Sequence, residues 1–535
     1  MKKNNLIIFL FFISNLVSAQ NWQWAKHYGS SDGWNRVGNI CKDDSGNVYM
    51  TGDFGYPEGY FGSDTLYSSN QSSNMFLLKT NQSGNLVWSK SEFTDQTGGD
   101  DIQYDRNSNS IVITGVSGSM TGNYIYLQRE NLNGTYMAGF LIGPQGNGEQ
   151  PSLTIDNNGN IFLLGRFQNN GTIGPFSISA GWFIAKFDSS ISCIWAKNML
   201  VYDDNITDVK FFNSSLFIAG MSQHDTVVVD TAHVQNHGYI DNFISRFDTA
   251  GNVIWLKTIG GPNWDYGSLI DIDNSGNIFA CGVFKDTSYF GNLLLIDANP
   301  YSMYLSKWDI NGNIIWAKKI PCSSTSSSYY SYARDISTDS NGNSYLIGSF
   351  NASVNFGNGF NLTALDSSDM FVARYDSSGT CKGVTTFGGA YGNRIISGGV
   401  GDFYAAGIFS GTVQLGTTSL TSYYTSSHIH NLGDIYLAKH DAITNVEARH
   451  APNNQLLIYA NPTAGKCNIT IPDEFLNEKK LMLSIFDNAG KLIQQKTLEM
   501  NEGKILLNLE AEAKGMYNVT LSNGKKSYNG RIVFE

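Results

Sequence analysis

Few side chains in this sequence have the types and spacing that chemistry requires. Histidines gather in two places, His224, His233 and His237, and His428 with His430. A zinc site needs three or four converging ligands. The one-apart pair shares a face of an extended segment, but His233 and His237 would need a helix that their Thr- and Val-rich surroundings do not promise. The stretch DIDNSGNI starts like a calcium loop at Asp271, Asp273 and Ser275, yet Gly282 stands where the twelfth-position Glu belongs. Gly29 to Gly33, GSSDG, fits a nucleophile pattern around Ser31 without the strand and helix such an elbow needs. No catalytic residue, metal ligand or cofactor is expected from these groups.

Aromatic residues make the stronger case. Trp34 lies in SSDGWN, Trp264, Asp265 and Tyr266 lie in PNWDYG, and Tyr330 lies in a loop with Tyr329 and Tyr332. Rings beside Asp or Asn can stack on sugars and hydrogen-bond their hydroxyls, so Trp34, Trp264, Asp265, Tyr266 and Tyr330 are the candidate ligand-binding residues. Packing between structural units is their plainer role.

The elements that must position these residues are repeats. Seven apolar stretches share one glycine, Gly52, Gly115, Gly165, Gly220, Gly282, Gly348 and Gly407, at separations of 63, 50, 55, 62, 66 and 59 residues. Most follow an Asp-x-x-Gly-Asn turn. A second strand follows each, carrying Lys79, Arg129, Lys186, Arg246, Lys307, Arg374 or Lys439 and, two positions on, Asn or Asp. That Asx can bond the backbone of the next turn. A tryptophan strand comes next, with Trp88, Trp195, Trp255 and Trp316, while Ala138 and Gly383 depart from the pattern. Each unit thus reads as four strands, a period typical of propeller blades. The seventh unit lacks its Trp strand, and QWAKHYG at 23–29 supplies a match, so residues 22–27 are expected to close the ring.

Variable connections between second and third strands, from 118–123 to 410–434, share one face with the links between units. A ligand is expected there. The six cysteines at 41, 193, 281, 322, 381 and 467 are expected to be mostly free and buried. Residues 20–451 carry 23 Lys and Arg against 37 Asp and Glu, a formal −14, which argues against nucleic acid or anionic membrane as partner.

With its Asp-x-x-Gly-Asn core, Trp strand and Phe-Gly dipeptides (Phe61-Gly62, Phe290-Gly291, Phe356-Gly357), the unit resembles the SBBP type of β-propeller repeat. The resemblance implies a fold and no single activity.

Both ends read as address labels. Lys2 and Lys3 precede an apolar run from Leu6 to Ile13, and Val17-Ser18-Ala19 suits signal peptidase, so residues 1–19 are expected to be a signal peptide and the mature protein soluble. The run is too short for a stable membrane span. From about residue 452 the composition shifts, with 10 Lys and Arg against 9 Asp and Glu and no Trp. Alternation there predicts a small β-sandwich. Asn461, Pro462 and Gly465, the DNAGK turn at Gly490, and Lys514, Gly515 and Tyr517 resemble the type A sorting domain of the type IX secretion system, although Ala460 stands where that family usually has Pro. The resemblance implies the type IX machinery as partner and a secreted or cell-surface location.

The expected architecture is all-β: a signal peptide at 1–19, a seven-bladed β-propeller at 20–448 closed by its N-terminal strand, and a linker and sorting sandwich at 449–535. The expected function is a binding or adhesion scaffold for carbohydrate or extracellular protein. A polysaccharide lyase or hydrolase, or a structural surface-layer component, is the competing class.

Overall fold

Turn chemistry sets the local structure. In DNSGN the Asp273 carboxylate accepts the N–H groups of Ser275 and Asn277, both at 2.9 Å, and the Asn277 amide at 2.8 Å. Gly276 completes the turn at φ +81°, a conformation that suits only a residue without Cβ. Both carboxylate oxygens are therefore used inside the hairpin. Asp43, Asp156 and Asp339 repeat these bonds, and Asp248 and Asp309 do so in the next turn of their units.

The computed structural model describes residues 22–535 except 69–72, 92–96, 120–121, 144–147, 200–204, 300, 324–330, 365–367, 417, 424–431, 442–455, 457, 460–462, 464, 472–474, 476–477, 479, 488–490, 500–503, 525–526 and 535. Among these residues the chain is all-β, with no α-helix. It divides into two compact units, Met1–Ala448 and Arg449–Glu535.

In the first unit, seven antiparallel sheets share one strand order. The first comprises Arg36–Lys42, Val48–Phe54, Asn74–Thr80 and Leu86–Lys90; the second Thr97–Asp105, Ser110–Ser119, Gly122–Asn131 and Tyr136–Ile142. The third comprises Gly148–Ile155, Ile161–Phe167, Gly181–Phe187 and Cys193–Asn198; the fourth Asn205–Phe212, Ser215–Ser222, Asp241–Asp248 and Val253–Gly260. Tyr266–Ile272, Ile278–Phe284, Ser302–Trp308 and Ile314–Ile320 make the fifth, and Tyr332–Thr338, Ser344–Phe350, Asp369–Tyr375 and Cys381–Gly388 the sixth. The seventh takes Ala390–Ser397, Phe403–Phe409 and Asp434–His440, and its fourth strand is Trp22–Ser30, with Trp24 opposite Lys439. First strands of successive sheets pack together, and that of the seventh packs on that of the first.

A repeated side-chain device joins most sheets to the next. Across the third and fourth strands, Lys79 faces Trp88, Lys186 faces Trp195, Arg246 faces Trp255 and Lys307 faces Trp316. The same cations, with Lys439, lie 4.7–5.8 Å over the rings of Tyr49, Phe162, Phe217, Phe279 and Tyr404 on the second strands. Indole Nε1 of Trp24, Trp88, Trp255 and Trp316 donates to a carbonyl in the following sheet's turn, that of Gln82, Leu132, Ile310 and Ser377. Turn glycines leave room for the rings: a Cβ on Gly84 would stand 2.4 Å from Trp24, and one on Gly251 2.7 Å from Trp195.

Two sheets depart from this, at Ala138 and Gly383, and the first departure is compensated. Ala138 replaces the Trp of the second sheet, and in the third sheet's turn Ile191 replaces the glycine at φ +64°, buried in the same core as Ala138. A β-branched residue at positive φ is strained; its side chain fills the place an indole takes elsewhere. Arg129, flanked by Val112 and Ala138 instead of rings, pairs with Asp105 at 2.5 Å, both buried.

Connections between second and third strands were expected to be variable loops. In six sheets they hold short hairpins, such as Glu58–Phe61 with Asp64–Tyr67 and Thr287–Phe290 with Leu293–Ile296. These two extend the preceding sheet, pairing Tyr28 with Phe61 and Ile259 with Phe290. The Phe of each Phe-Gly dipeptide is a buried plug. Hairpin closure satisfies backbone groups that a bare loop over apolar surface would strand. All six cysteines are free, four of them buried.

In the second unit, a sheet of Ile458–Tyr459, Lys466–Thr470 and Lys504–Asn508 and a sheet of Lys480–Asp487, Leu492–Glu499, Gly515–Ser522 and Ser527–Phe534 share one core that includes Ile469, Phe475, Ile485, Leu507, Val519 and Ile532.

Ala138→Trp should collide with Ile191, and Ile191→Gly should open a cavity; each should cost about 1–3 kcal/mol, and the double variant should recover most of the loss. Chemical denaturation of the three variants reads that coupling. A second expectation concerns acid. His440 is packed on Trp22 and Phe403 and His27 against Phe409 and Tyr423, and burial holds both imidazoles below 6.5. A depressed base contributes stability that is present above its unfolded value, near 6.5, and lost as pH falls below it. The histidine contribution should fall as pH drops from about 6.5 to 5, so the melting temperature of the native chain should decrease relative to that of His440→Phe across that range.

Candidate functional site

Every first strand carries a register shift before its apolar core, between Val37 and Asn39, Gly99 and Asp101, Glu149 and Ser152, Ile206 and Asp208, Tyr266 and Leu269, Ala333 and Asp335, and Gly392 and Arg394. A bulge twists the strand and re-aims side chains. Here residues near the shifts from all seven sheets line one cavity of about 600 Å³, including Arg36, Lys42, Asp100, Asp101, Asp208, Lys210, Asp271, Asp335 and Arg394.

These charges act on one another and on neighbouring backbones. Asp101 accepts Leu153 N–H at 2.9 Å, Asp208 accepts Ile270 N–H at 3.2 Å, Asp271 accepts Thr338 N–H at 2.6 Å and Asp335 accepts Ile395 N–H at 2.9 Å. Arg394 returns a bond to Gly38 O at 2.6 Å. Each links one sheet to the next. Burial pushes the Asp335 carboxyl up to about 6 against the pull of Arg394 and Lys210, and raises Asp271 and Asp100 as well. Burial also works against the charge of Lys210, but Asp208, Asp271 and Asp335 outweigh it and raise its pKa. Because these carboxylates already bond backbone N–H groups, the cavity offers a polar, positioned wall rather than a free acid and base.

Sequence reasoning missed this wall. Its signal is a residue that precedes a buried aliphatic in each unit: Asn39-Ile40, Asp101-Ile102, Ser152-Leu153, Asp208-Val209, Leu269-Ile270, Asp335-Ile336 and Arg394-Ile395. The first of each pair is polar in six of the seven.

Antiparallel alternation puts the links between sheets at the same end as the inserted hairpins. Trp34 and Trp264 each stand two residues before the first strand of a sheet, and they are 66% and 46% exposed. They occupy equivalent positions in different sheets, so they form two corners rather than one site. Tyr330 precedes Tyr332 by the same two residues but lies outside the described residues. At the corner between the fourth and fifth sheets, Trp264 lies 6.4 Å from the exposed ring of Tyr239 and 5.8 Å from Tyr266. Its backbone is fixed by the bond from Asp265 N–H to Ile240 O at 2.8 Å. Asp265 itself is fully buried and accepts Lys285 N–H at 2.9 Å, so it holds the corner from beneath instead of facing solvent.

The expected His428 and His430 lie outside the described residues, while His237 packs on Tyr289 at 5.2 Å. In the second unit Gly465 sits at φ +123°, its N–H bonded to Thr463 Oγ1 at 3.2 Å, and the buried Tyr517 donates to Ala513 O. Lys514 and Gly515 are exposed, and Asn461, Pro462 and Gly490 lie outside the described residues.

Among the described residues no helix is long and apolar enough to cross a membrane. Residues 457–535 match the secretion system C-terminal sorting domain family. An uncharacterised WD repeat-containing protein of Acanthamoeba polyphaga mimivirus is 27% identical over 161 residues, 28% of this chain, which spans 11% of that protein. Among solved structures, a member of the DUF4221 family from Bacteroides vulgatus is 10% identical with a TM-score of 0.33, over 79% of this chain and 97% of that one. The phage phi92 endosialidase is 11% identical with a TM-score of 0.35, over 95% and 87%. The C-terminal domain thus marks the protein for export through the type IX secretion system, to the cell surface or beyond. Deleting residues 457–535 should leave the remaining chain inside the outer membrane, read by fractionation and surface protease accessibility.

Proposed function

We propose that the first unit, residues 20–448, is a seven-bladed β-propeller of SBBP type closed by its N-terminal strand, and that it serves as a surface-delivered scaffold binding extracellular polysaccharide. The seven sheets of one strand order and the cycle of packed first strands support the architecture. Residues 1–19 are the signal peptide that starts the route, and 449–535 are the linker and sorting domain that complete it. The observation that carries the binding role is the exposed pair Tyr239 and Trp264, backed by the half-buried Tyr266 and held on a fixed corner, with Trp34 at the equivalent place elsewhere. Flat, exposed rings on fixed backbone stack on pyranose faces at little ordering cost. The channel carboxylates, engaged with backbone, favour binding over cleavage.

Purified mature protein should be retained on one or more immobilised polysaccharides, without release of reducing ends. Trp264→Ala should weaken retention about three- to tenfold, the range expected for losing one stacking ring. Trp34→Ala reads the second corner and should melt with the native chain, and Trp264→Ala, whose ring is about half exposed, should still fold. Release of reducing ends would make the protein a lyase or hydrolase instead.

A further inference from the structure

The hairpin of Thr287–Phe290 and Leu293–Ile296 lies along a neighbouring sheet. Pairing of Ile259 with Phe290 and Gly260 with Tyr289 sets it on the outer strand Val253–Gly260 of the fourth sheet. Its tip, Gly291 and Asn292, reaches the start of the fifth sheet's fourth strand, where a Cβ on Gly291 would stand 3.5 Å from Ile314. The turn before that strand lies against the Lys257 stem, since a Cβ on Gly312 would stand 3.1 Å from Lys257 Cε. Strand, tip and turn enclose a second cavity of about 530 Å³, which shares no lining residue with the central one.

Leu256, Trp308 and Ile314 give this pocket an apolar side, with Leu256 and Trp308 buried. Lys257, Thr258, Asn292 and His237 give it a polar one, and among the described residues none of these side chains makes a hydrogen bond or ion pair. The equivalent lysines of the first and third sheets are bonded, Lys90 to Gly134 O at 2.7 Å and Lys197 to Asn252 Oδ1 at 3.3 Å. Lys257 lies within electrostatic reach of Asp309, but the Asp309 oxygens accept Asn311 N–H, Asn313 N–H and the Asn313 amide inside their own turn. Among the described residues no Asp or Glu lines the pocket, although residues 20–451 carry a formal −14. The junction between the seventh and first sheets shows what differs here. Trp22–Ser30 and its hairpin pair in the same register, Tyr28 with Phe61 and Gly29 with Tyr60. There WAKHYG puts His27, packed on Phe409 and Tyr423, where WLKTIG has the smaller Thr258.

We propose that this pocket binds a carboxylate-bearing sugar. Lys257 takes the carboxylate, Thr258, Asn292 and His237 take ring hydroxyls, and the apolar side receives the C–H face. A cation with no acid beside it in the lining selects an anion, and the charge-assisted bond is the strongest single contact on offer. Hydroxyl, amide and imidazole groups both give and accept hydrogen bonds, which suits a polyol. An apolar wall with a few polar groups, in a volume of this size, is how small-molecule pockets are built. The choice of a sugar rests on the polysaccharide reading above, while the pocket is a separate place that neither Trp264 nor Tyr239 lines.

The test is titration calorimetry of the full mature chain with galacturonate and glucuronate, and with galactose and glucose as their uncharged counterparts. A uronate should bind about tenfold tighter than its neutral counterpart, the ratio that one charge-assisted hydrogen bond supplies. Lys257→Met keeps the stem and should erase that preference. Thr258→His copies the junction between the seventh and first sheets, so it should fold and lose uronate binding. Failure of both uronates to bind, or equal binding of the neutral sugars, overturns the proposal. Binding undiminished in both variants places the sugar elsewhere and overturns it as well. Uronate binding that both variants weaken, in a chain that no polysaccharide column retains, supports the pocket and overturns only the scaffold reading.

Discussion

An indole laid against a glycine turn joins most neighbouring sheets of the first unit, and much of the sequence follows from it. The glycine must lack a Cβ because the ring occupies that space, and it must sit at positive φ because the turn demands it. The basic residue opposite the indole is held over a second ring, and at two junctions it also reaches a turn carboxylate, Lys186 to Asp156 at 4.0 Å and Lys307 to Asp273 at 3.3 Å. Where the indole is missing, the chain accepts a strained Ile191 and a buried Arg129 and Asp105 pair. The spacing of repeats varies freely because no part of this device depends on what lies between the second and third strands.

The inner wall solves a different problem. Seven strands brought together around a cavity would leave bulged backbone N–H groups facing inward, and side chains of the preceding sheet take them up. The result is a polar lining whose charges nearly balance: five Asp against two Arg and two Lys. Acidity of the unit as a whole therefore resides on the outer surface and the turns, not in the cavity.

Much of this was legible in the sequence. Turn residues, shared glycines and tryptophans specify local hairpins, and local chemistry reads directly. The match between QWAKHYG and the Trp strands pointed to Trp22–Ser30 as a partner of Asp434–His440, because a missing strand leaves an unpaired edge. What stayed hidden depends on register. A one-residue bulge reverses which side chains face inward, so the lining aspartates could not be told from surface ones. Asp265 looked like a solvent-facing partner of Trp264, but it is buried and bonded to Lys285 N–H, 20 residues on, just past the second strand of the same sheet. The variable connections read as loops since their hairpins are only three to five residues per strand, too short for a periodic signal.

Pairing the strand at 22–30 with the one at 434–440 also has a kinetic side. The contact between Trp24 and Lys439 spans nearly the whole unit, and loop-closure entropy delays such a contact until the intervening sheets have shortened the effective loop. The last sheet can reach four strands only after residue 440 has become available. The strand at 22–30 therefore stays unmatched until the last sheet is made, while the six sheets between can form from strands adjacent in sequence.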